Sequence, residues 1–282
     1  MPNLYTIALV NEQSSETLTE GDKISIAYHN IFDYPLNFSD LMKWKANEDL
    51  TIGSNLTIVS KNGFYFISGK ETSIYKRQLH NRISKRKMAI ATKAANILSF
   101  LPTIKMIGIT GSLAMENSNE ESDIDLMIVT KGGSLWTTRA FAYLLISLFG
   151  IKKRSPLDKI QMDKLCLNIW LDENDLTWGK KDRNIYTAHE IAQVIPMINK
   201  NKTYEKFLSD NKWVLKFWPN AVKIRNSKFA VQKSKQNIFE KLAFKLQYQH
   251  MKSKISREVV TKTRALFHPQ DWGKIVLSRL SP

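Results

Sequence analysis

The stretch that decides the fold is Met106-Ile-Gly-Ile-Thr-Gly-Ser-Leu-Ala-Met-Glu-Asn-Ser-Asn-Glu-Glu-Ser-Asp-Ile-Asp-Leu-Met-Ile-Val129. An apolar run ends at Gly111-Ser112. After a ten-residue spacer, Asp123-Ile124-Asp125 opens a second apolar run. The pattern predicts strand, turn, short helix, strand. Side chains two apart on a strand point to the same face, so Asp123 and Asp125 converge. Two carboxylates that close repel unless a cation lies between them, and hard oxygen ligands favour Mg²⁺ held together with phosphates. The Gly-Ser turn opens a helix and can aim backbone N–H groups at a phosphate.

Working outward, Leu165–Leu171 reads as a further strand. Simple alternation puts Leu165, Leu167, Ile169 and Leu171 on one face and Cys166, Asn168 and Trp170 on the other. Lys131-Gly-Gly133 reads as a turn, with Ser134 capping a helix to about Phe149. Asn184 to about Asn199 is expected to be helical, with Pro196 near its end. Tyr204–Phe217 and Asn237–Ala265 are expected to be helical too, with a short tail after Pro269.

The N-terminal side has its own signals. Residues 1–15 read as a leader. Apolar spacing over Glu16–Asn30 predicts a helix that Asp33-Tyr34-Pro35 ends. Asn37 or Ser39 can cap a second short helix. Leu56–Ser68 holds two β-rich runs around Lys61-Asn62-Gly63, a hairpin signal. Helix, turn, helix, hairpin resembles a winged helix-turn-helix domain. Ile74–Phe100 then predicts a long helix whose first half is basic.

The Gly111-Ser112 and Asp123-Ile124-Asp125 pair resembles the DNA polymerase beta-like nucleotidyltransferase superfamily, which includes antibiotic-modifying, tRNA-tailing and protein-modifying enzymes. The resemblance in motif covers residues 106–130 and extends in weaker pattern to about 171. It implies an α/β (α+β) nucleotidyltransferase core at 103–199. Flanking it are the winged-helix-like domain at 16–73, a linking basic helix at 74–102 and a basic helical extension at 200–282. It also implies an NTP substrate and one or two Mg²⁺ ions held by Asp123 and Asp125. Gly111 and Ser112 would meet the nucleotide. Arg139, in the first turns of the helix after the second strand, can meet phosphate or serve a surface or structural role. The family's third carboxylate, on a later strand, falls at Asn168, which cannot serve as a base. Asp163 and Asp172 are the carboxylates that a register shift would bring there.

Composition narrows the rest. At 282 residues with 43% hydrophobic content the chain can bury a sizeable core. No run of about twenty apolar residues predicts a membrane span, and the start lacks a basic n-region, so no signal peptide is expected. Cys166 is the single cysteine, which excludes an intrachain disulfide and fits a cytoplasmic location. Net charge is +16, and residues 200–282 hold 19 Lys+Arg against 5 Asp+Glu. That balance favours a polyanion such as nucleic acid, or else a solvated lysine-rich face. Two functions follow. One is Mg-dependent transfer of a nucleoside monophosphate from an NTP to an acceptor hydroxyl on RNA, a small molecule or a protein. The other is a weakly active or inactive nucleotidyltransferase fold that senses nucleotide or binds nucleic acid. Sequence does not fix the oligomeric state.

Overall fold

The computed structural model describes residues 18–50, 56–155, 158, 160–224, 236–255, 258–267 and 271–280. The expected leader, and Pro269 itself, lie outside those residues.

The N-terminal unit starts with α1 (Glu20–Asn30), closed by a capping box between Thr19 and Asp22. It continues with β1 (Leu36–Asn37) and α2 (Phe38–Lys43), where Asn37 Oδ1 accepts from the Asp40 N–H at 2.8 Å. The hairpin joins β2 (Ile58–Lys61) and β3 (Phe64–Ile67) across Asn62 and Gly63, both at positive φ, as a two-residue type I′ turn requires. The three strands order β1-β3-β2. One side of α1 closes this unit: Ile26 packs with Tyr34, Leu36 and Leu41. The other side does not stay within it. Ile24, Ala27 and Tyr28, with Trp44 and Ala46, share a hydrophobic cluster with Ile191, Phe207 and Trp218 further along the chain.

The long helix α3 (Thr72–Leu98) lays Ala91, Ala94, Ala95 and Leu98 on the core. Much of its basic half is occupied by internal partners. Arg77 pairs with Asp40 at 2.6 Å, Lys76 with Asp33 at 2.7 Å and Arg86 with Asp163 at 2.7 Å. Lys87 is fully buried, and its ammonium donates to the Ser122 carbonyl at 2.7 Å while pairing with Asp163 at 2.9 Å. These contacts tie α3 to the loop ahead of Asp123.

The core sheet contains β4 (Ile104–Ile109), β5 (Ile124–Thr130), β6 (Leu165–Asp172), β7 (Ile195–Asn199), β8 (Val259–Val260) and β9 (Arg264–Leu266), ordered β7-β4-β5-β6-β9-β8. Only β5 and β6 run parallel, joined through α5 (Leu135–Leu148). Parallel neighbours are usually covered on both faces. Here Ile124, Leu126 and Ile128 pack towards Trp136, Ala142 and Ile146 of α5. Met127 and Val129 pack the other way, towards α6 (Ile185–Ala192) and α7 (Thr203–Asp210).

Several sequence expectations change. The helix expected over Asn184–Asn199 stops at Ala192, and Ile195–Asn199 is an edge strand paired with β4. Pro196 lacks the N–H that a helix interior or a central strand needs, and an edge accommodates it. Tyr204–Phe217 breaks at Asn211 into α7 and a 3₁₀ turn over Lys212–Lys216. Helix α8 (Ile238–Met251) is followed by a short 3₁₀ turn, not by continuous helix to Ala265. The β-branched pair Val259-Val260 then opens strands that extend the core sheet beside β6. The tail forms α9 (Trp272–Leu280).

Ser134 also behaves differently. Its hydroxyl donates to the Lys131 carbonyl and leaves the first turn of α5 uncapped. Glu240, wholly buried on α8 (Ile238–Met251), caps it from a distance in sequence. Its carboxylate accepts from the Trp136 N–H at 2.7 Å, the Thr137 N–H at 2.9 Å and the Thr137 hydroxyl at 2.8 Å. A negative charge on a helix N-terminus, hydrogen-bonded out of water, locks α8 to the core. Glu240→Ala leaves those donors buried and unpaired, and is expected to cost about 2–4 kcal/mol. The denaturant midpoint reads this directly; a shift within error would show that α8 is held by its apolar contacts alone.

Candidate active site

The site assembles where β4 ends. Thr110 donates its N–H to the Asp125 carbonyl at 3.1 Å, which registers the turn against β5. Gly111 has φ +62°, a region glycine enters freely. A Cβ there would also run into Asp125 Oδ2, so the turn lies directly against the carboxylate. The short helix α4 (Gly111–Ala114) starts with no side-chain cap on its N–H groups. Ser112 Oγ lies 3.1 Å from Ser118 Oγ, and the Ser118 N–H donates to Ser84 of α3 at 3.1 Å.

Asp123 and Asp125 face this turn. With Cys166 they bring one ligand atom each to within 4.8 Å of one another. Arg154 Nη1 donates to Asp123 Oδ2 at 2.7 Å and reaches Cys166 Sγ at 3.7 Å. Asp125 is deeper. Burial, and then the charge of Asp123, push its carboxyl up to about 7. Burial, with Asp125 and Asp123 beside it, pushes the Cys166 thiol well up, so it stays protonated at neutral pH.

Asn168 is brought to Asp125 by an irregularity that plain alternation misses. Between Asp125 and Met127 there is one residue on β5; between their partners Cys166 and Ile169 there are two. This β-bulge reverses the facing of the strand part-way. Leu165, Leu167 and Trp170 pack on the α5 side, whereas Ile169 and Leu171 pack on the opposite side, so the sequence assignment of faces fails beyond Asn168. Asn168 Nδ2 donates to Asp125 Oδ1 at 2.8 Å, and its own Oδ1 is buried with no partner.

The other two carboxylates have structural partners. Asp163 has φ +59° and pairs with Lys87 and Arg86. Burial alone would raise its carboxyl, but those two cations hold it below the usual range. Asp172 lies at the other end of β6, where it accepts from the N–H groups of Gly133 at 2.6 Å and Asn174 at 2.9 Å.

Asp123, Asp125, Asn168, Gly111 and Ser112 all line one cavity of about 490 Å³. Arg139 does not. Its guanidinium donates to Gln247 at 2.6 Å and stacks over Tyr143 and Phe267, so its partners are structural. Trp136 is buried, with its indole N–H on the Thr261 carbonyl at 3.1 Å. Sequence reasoning missed Arg154, which lines the cavity, although the basic Lys152-Lys153-Arg154 ahead of β6 was a visible signal. It also missed that the N-terminal unit supplies Tyr28, His29, Phe32 and Tyr34 to the cavity wall, and that Phe267 and Trp272 close it from the C-terminal side.

With this geometry the comparisons can be read. Residues 91–194 match the family model described as nucleotidyltransferase domain. That segment runs from the second half of α3 to the start of β7 and contains every residue of the acidic site. Over that segment the chain is similar to a nucleotidyltransferase domain, which is consistent with a polymerase beta-like core. No curated protein matches the chain.

Behind the cavity wall, His29 and His189 meet at 3.2 Å between their Nε2 atoms. His29 Nδ1–H donates to the Ser25 carbonyl at 2.8 Å, so its Nε2 accepts and His189 donates. His189 stacks on Trp44 at 4.0 Å, and Trp218 and Tyr28 complete the box. Burial lowers His29 to about 4 and His189 further below its ordinary value. The unfolded chain binds protons at about pH 6.5 that the folded chain refuses, so stability falls as pH drops from there towards 4. For His29 alone the full loss is about 3 kcal/mol. Asp125, raised in the fold, acts in the opposite sense. The expected result is therefore a difference: between pH 7 and 5, the wild type loses about 2 kcal/mol more than His29→Asn in urea unfolding. Equal losses would show that the pair is not neutral in the fold.

Proposed function

We propose that the protein transfers a nucleoside monophosphate from a nucleoside triphosphate to an acceptor hydroxyl, with Mg²⁺, releasing pyrophosphate. The observation that carries this is the convergence of Asp123, Asp125 and Asn168 opposite the uncapped Gly111-Ser112 turn.

The residues present fit a hard cation. Asp125 is held inside the protein next to a like charge, and Asn168 Oδ1 is an orphaned carbonyl oxygen beside it. Asp123 and Asp125 would hold Mg²⁺ through carboxylate oxygens, with the Asn168 carbonyl completing the protein's share. The Cys166 thiol, soft and protonated, is a poor partner for such an ion. When bound, the ion neutralises charge on the triphosphate and on the leaving pyrophosphate.

The chain's own groups do the positioning. The N–H groups of the Gly-Ser turn face the phosphates, and Arg154, part-exposed beside Asp123, adds a fixed positive charge. Tyr28, Phe32 and Trp272 offer ring faces on the same cavity for a base. In this chemistry, alignment and electrostatics supply most of the acceleration. The acceptor class stays open among nucleic acid, small molecule and protein. The basic C-terminal region and the winged-helix-like order of the first 73 residues support nucleic acid. The lone thiol supports a cytoplasmic setting.

A second reading has one specific observation behind it. The amide of Asn168 cannot take up a proton, which favours a protein that binds nucleotide or nucleic acid without turnover. The two readings separate in one experiment. Purified protein is incubated with Mg²⁺, each labelled NTP and RNA, DNA or protein extract, and pyrophosphate and labelled product are followed. Asp123→Asn with Asp125→Asn is expected to reduce turnover by about 10³-fold or more while leaving salt-dependent RNA binding intact. Turnover unchanged in that double variant would remove the transferase reading.

A further inference from the structure

Glu190 is a half-buried acid with one hydrogen-bond partner and no cation paired to it among the described residues. It sits on α6, and its carboxylate lines the nucleotide-side cavity beside Asp125. It also lines a second cavity of about 640 Å³, bounded by Trp178, Lys181, Thr187 and Leu277. The two cavities share Thr110, Tyr186, Glu190 and Trp272, so they meet at this side chain. Oε1 accepts from Gln193 Nε2 at 2.7 Å. Among the described residues no donor reaches Oε2, and no lysine or arginine pairs with the group. Buried carboxylates are costly unless paired. Elsewhere in the chain Glu240 caps a helix, part-exposed Asp163 holds two cations and Asp172 ties a turn. Burial, and then the charge of Asp125, push Glu190 up to about 8.

We propose that the second cavity receives the acceptor and that Glu190 takes the proton from the acceptor hydroxyl. The inference rests on the nucleotidyl-transfer reading and deepens it. In the step, the acceptor oxygen forms a bond to the α-phosphorus. The bond from that phosphorus to the α,β-bridging oxygen breaks, its electrons leave with pyrophosphate, and the hydroxyl proton passes to Glu190. Asn168, which donates to Asp125 from the bulge in β6, cannot accept that proton. Glu190 reaches the same space from a helix on the far side of the site. Gln193 donates to one carboxylate oxygen, and the other has no partner among the described residues. A proton acceptor there is both within the nucleotide cavity and in contact with whatever enters the second one.

The test uses the full chain with MgATP, MgGTP, MgCTP or MgUTP and water as acceptor, reading pyrophosphate release. Binding of Mg²⁺ with an α,β-methylene triphosphate analogue is measured in parallel. Glu190→Gln is expected to slow release by about 10²–10⁴-fold while analogue affinity stays within about twofold. Its thermal midpoint should not fall, because the amide removes a buried acid. Glu190→Ala is expected to regain release when formate is added, and Glu190→Gln is not, since only the former leaves room for a substitute base. Release by Glu190→Gln at about the wild-type rate would overturn this inference and leave the transferase reading standing. Slowed release with no formate rescue of Glu190→Ala would reduce Glu190 to a positioning role. A wild-type chain that binds the analogue but releases no pyrophosphate from any nucleotide, with water or with RNA, DNA or protein extract as acceptor, would overturn both readings.

Discussion

The architecture depends on holding two like charges together at the edge of a hydrophobic interior. Asp125 is placed on the central strand of a six-stranded sheet, with Ile124 and Leu126 packed on one side and Met127 on the other. A carboxylate there is unfavourable on its own and more so beside Asp123. The surrounding residues read as responses to that cost. Arg154 neutralises Asp123, the Asn168 amide donates to Asp125, and Gly111 keeps side-chain volume away from Oδ2. None of these leaves the pair fully compensated, which fits the cation site proposed for it. A fully satisfied pair would have no use for one.

The same constraint explains why regions distant in sequence are packed into one body. A strained acidic site works only if its walls exclude water and do not drift. The wall comes from α1, through Tyr28 and His29, and from the C-terminal strand and helix, through Phe267 and Trp272. Each is anchored by a buried polar lock: the His29–His189 pair inside an aromatic box on one side, Glu240 on the α5 N-terminus on the other. Lys87 plays the equivalent part for the loop before Asp123. The N-terminal unit is therefore part of the cavity's construction.

What could be read from sequence follows from how local each signal is. Gly111, Ser112, Asp123 and Asp125 were legible because a turn and a two-residue strand repeat carry their meaning within twenty residues. The Asn37 cap and the Asn62-Gly63 turn were legible for the same reason. Asn168 was located, but its side of the strand was right only because alternation holds up to the bulge; Ile169 to Leu171 fall on the other faces from those expected. Arg154, Glu240 and the histidine pair act across 31, 103 and 160 residues of chain, and nothing local marks such a partnership. The edge strand at Ile195–Asn199 was hidden because short apolar runs after a helix read as more helix. Only the neighbour β4, unavailable to sequence periodicity, decides it.

The residue types at positions 168 and 190 make sense as one arrangement. The site already contains Asp123 and Asp125, and Glu190 adds a third acid within electrostatic reach of Asp125. Arg154 is the cation paired to this group. An aspartate at 168 would place a fourth acid on Asp125 itself, at hydrogen-bond distance, where both could not ionise. Asn168 preserves the carbonyl oxygen that a metal can use, supplies an N–H that steadies Asp125 and adds no charge. The acid of the third strand is then not simply missing. Under the proposed reading, its ligating half stays on β6 as an amide, and its proton-accepting half stands on α6, where Glu190 also lines the second cavity. Separating the two duties would let the proposed metal site and acceptor site each keep the charge its own chemistry requires.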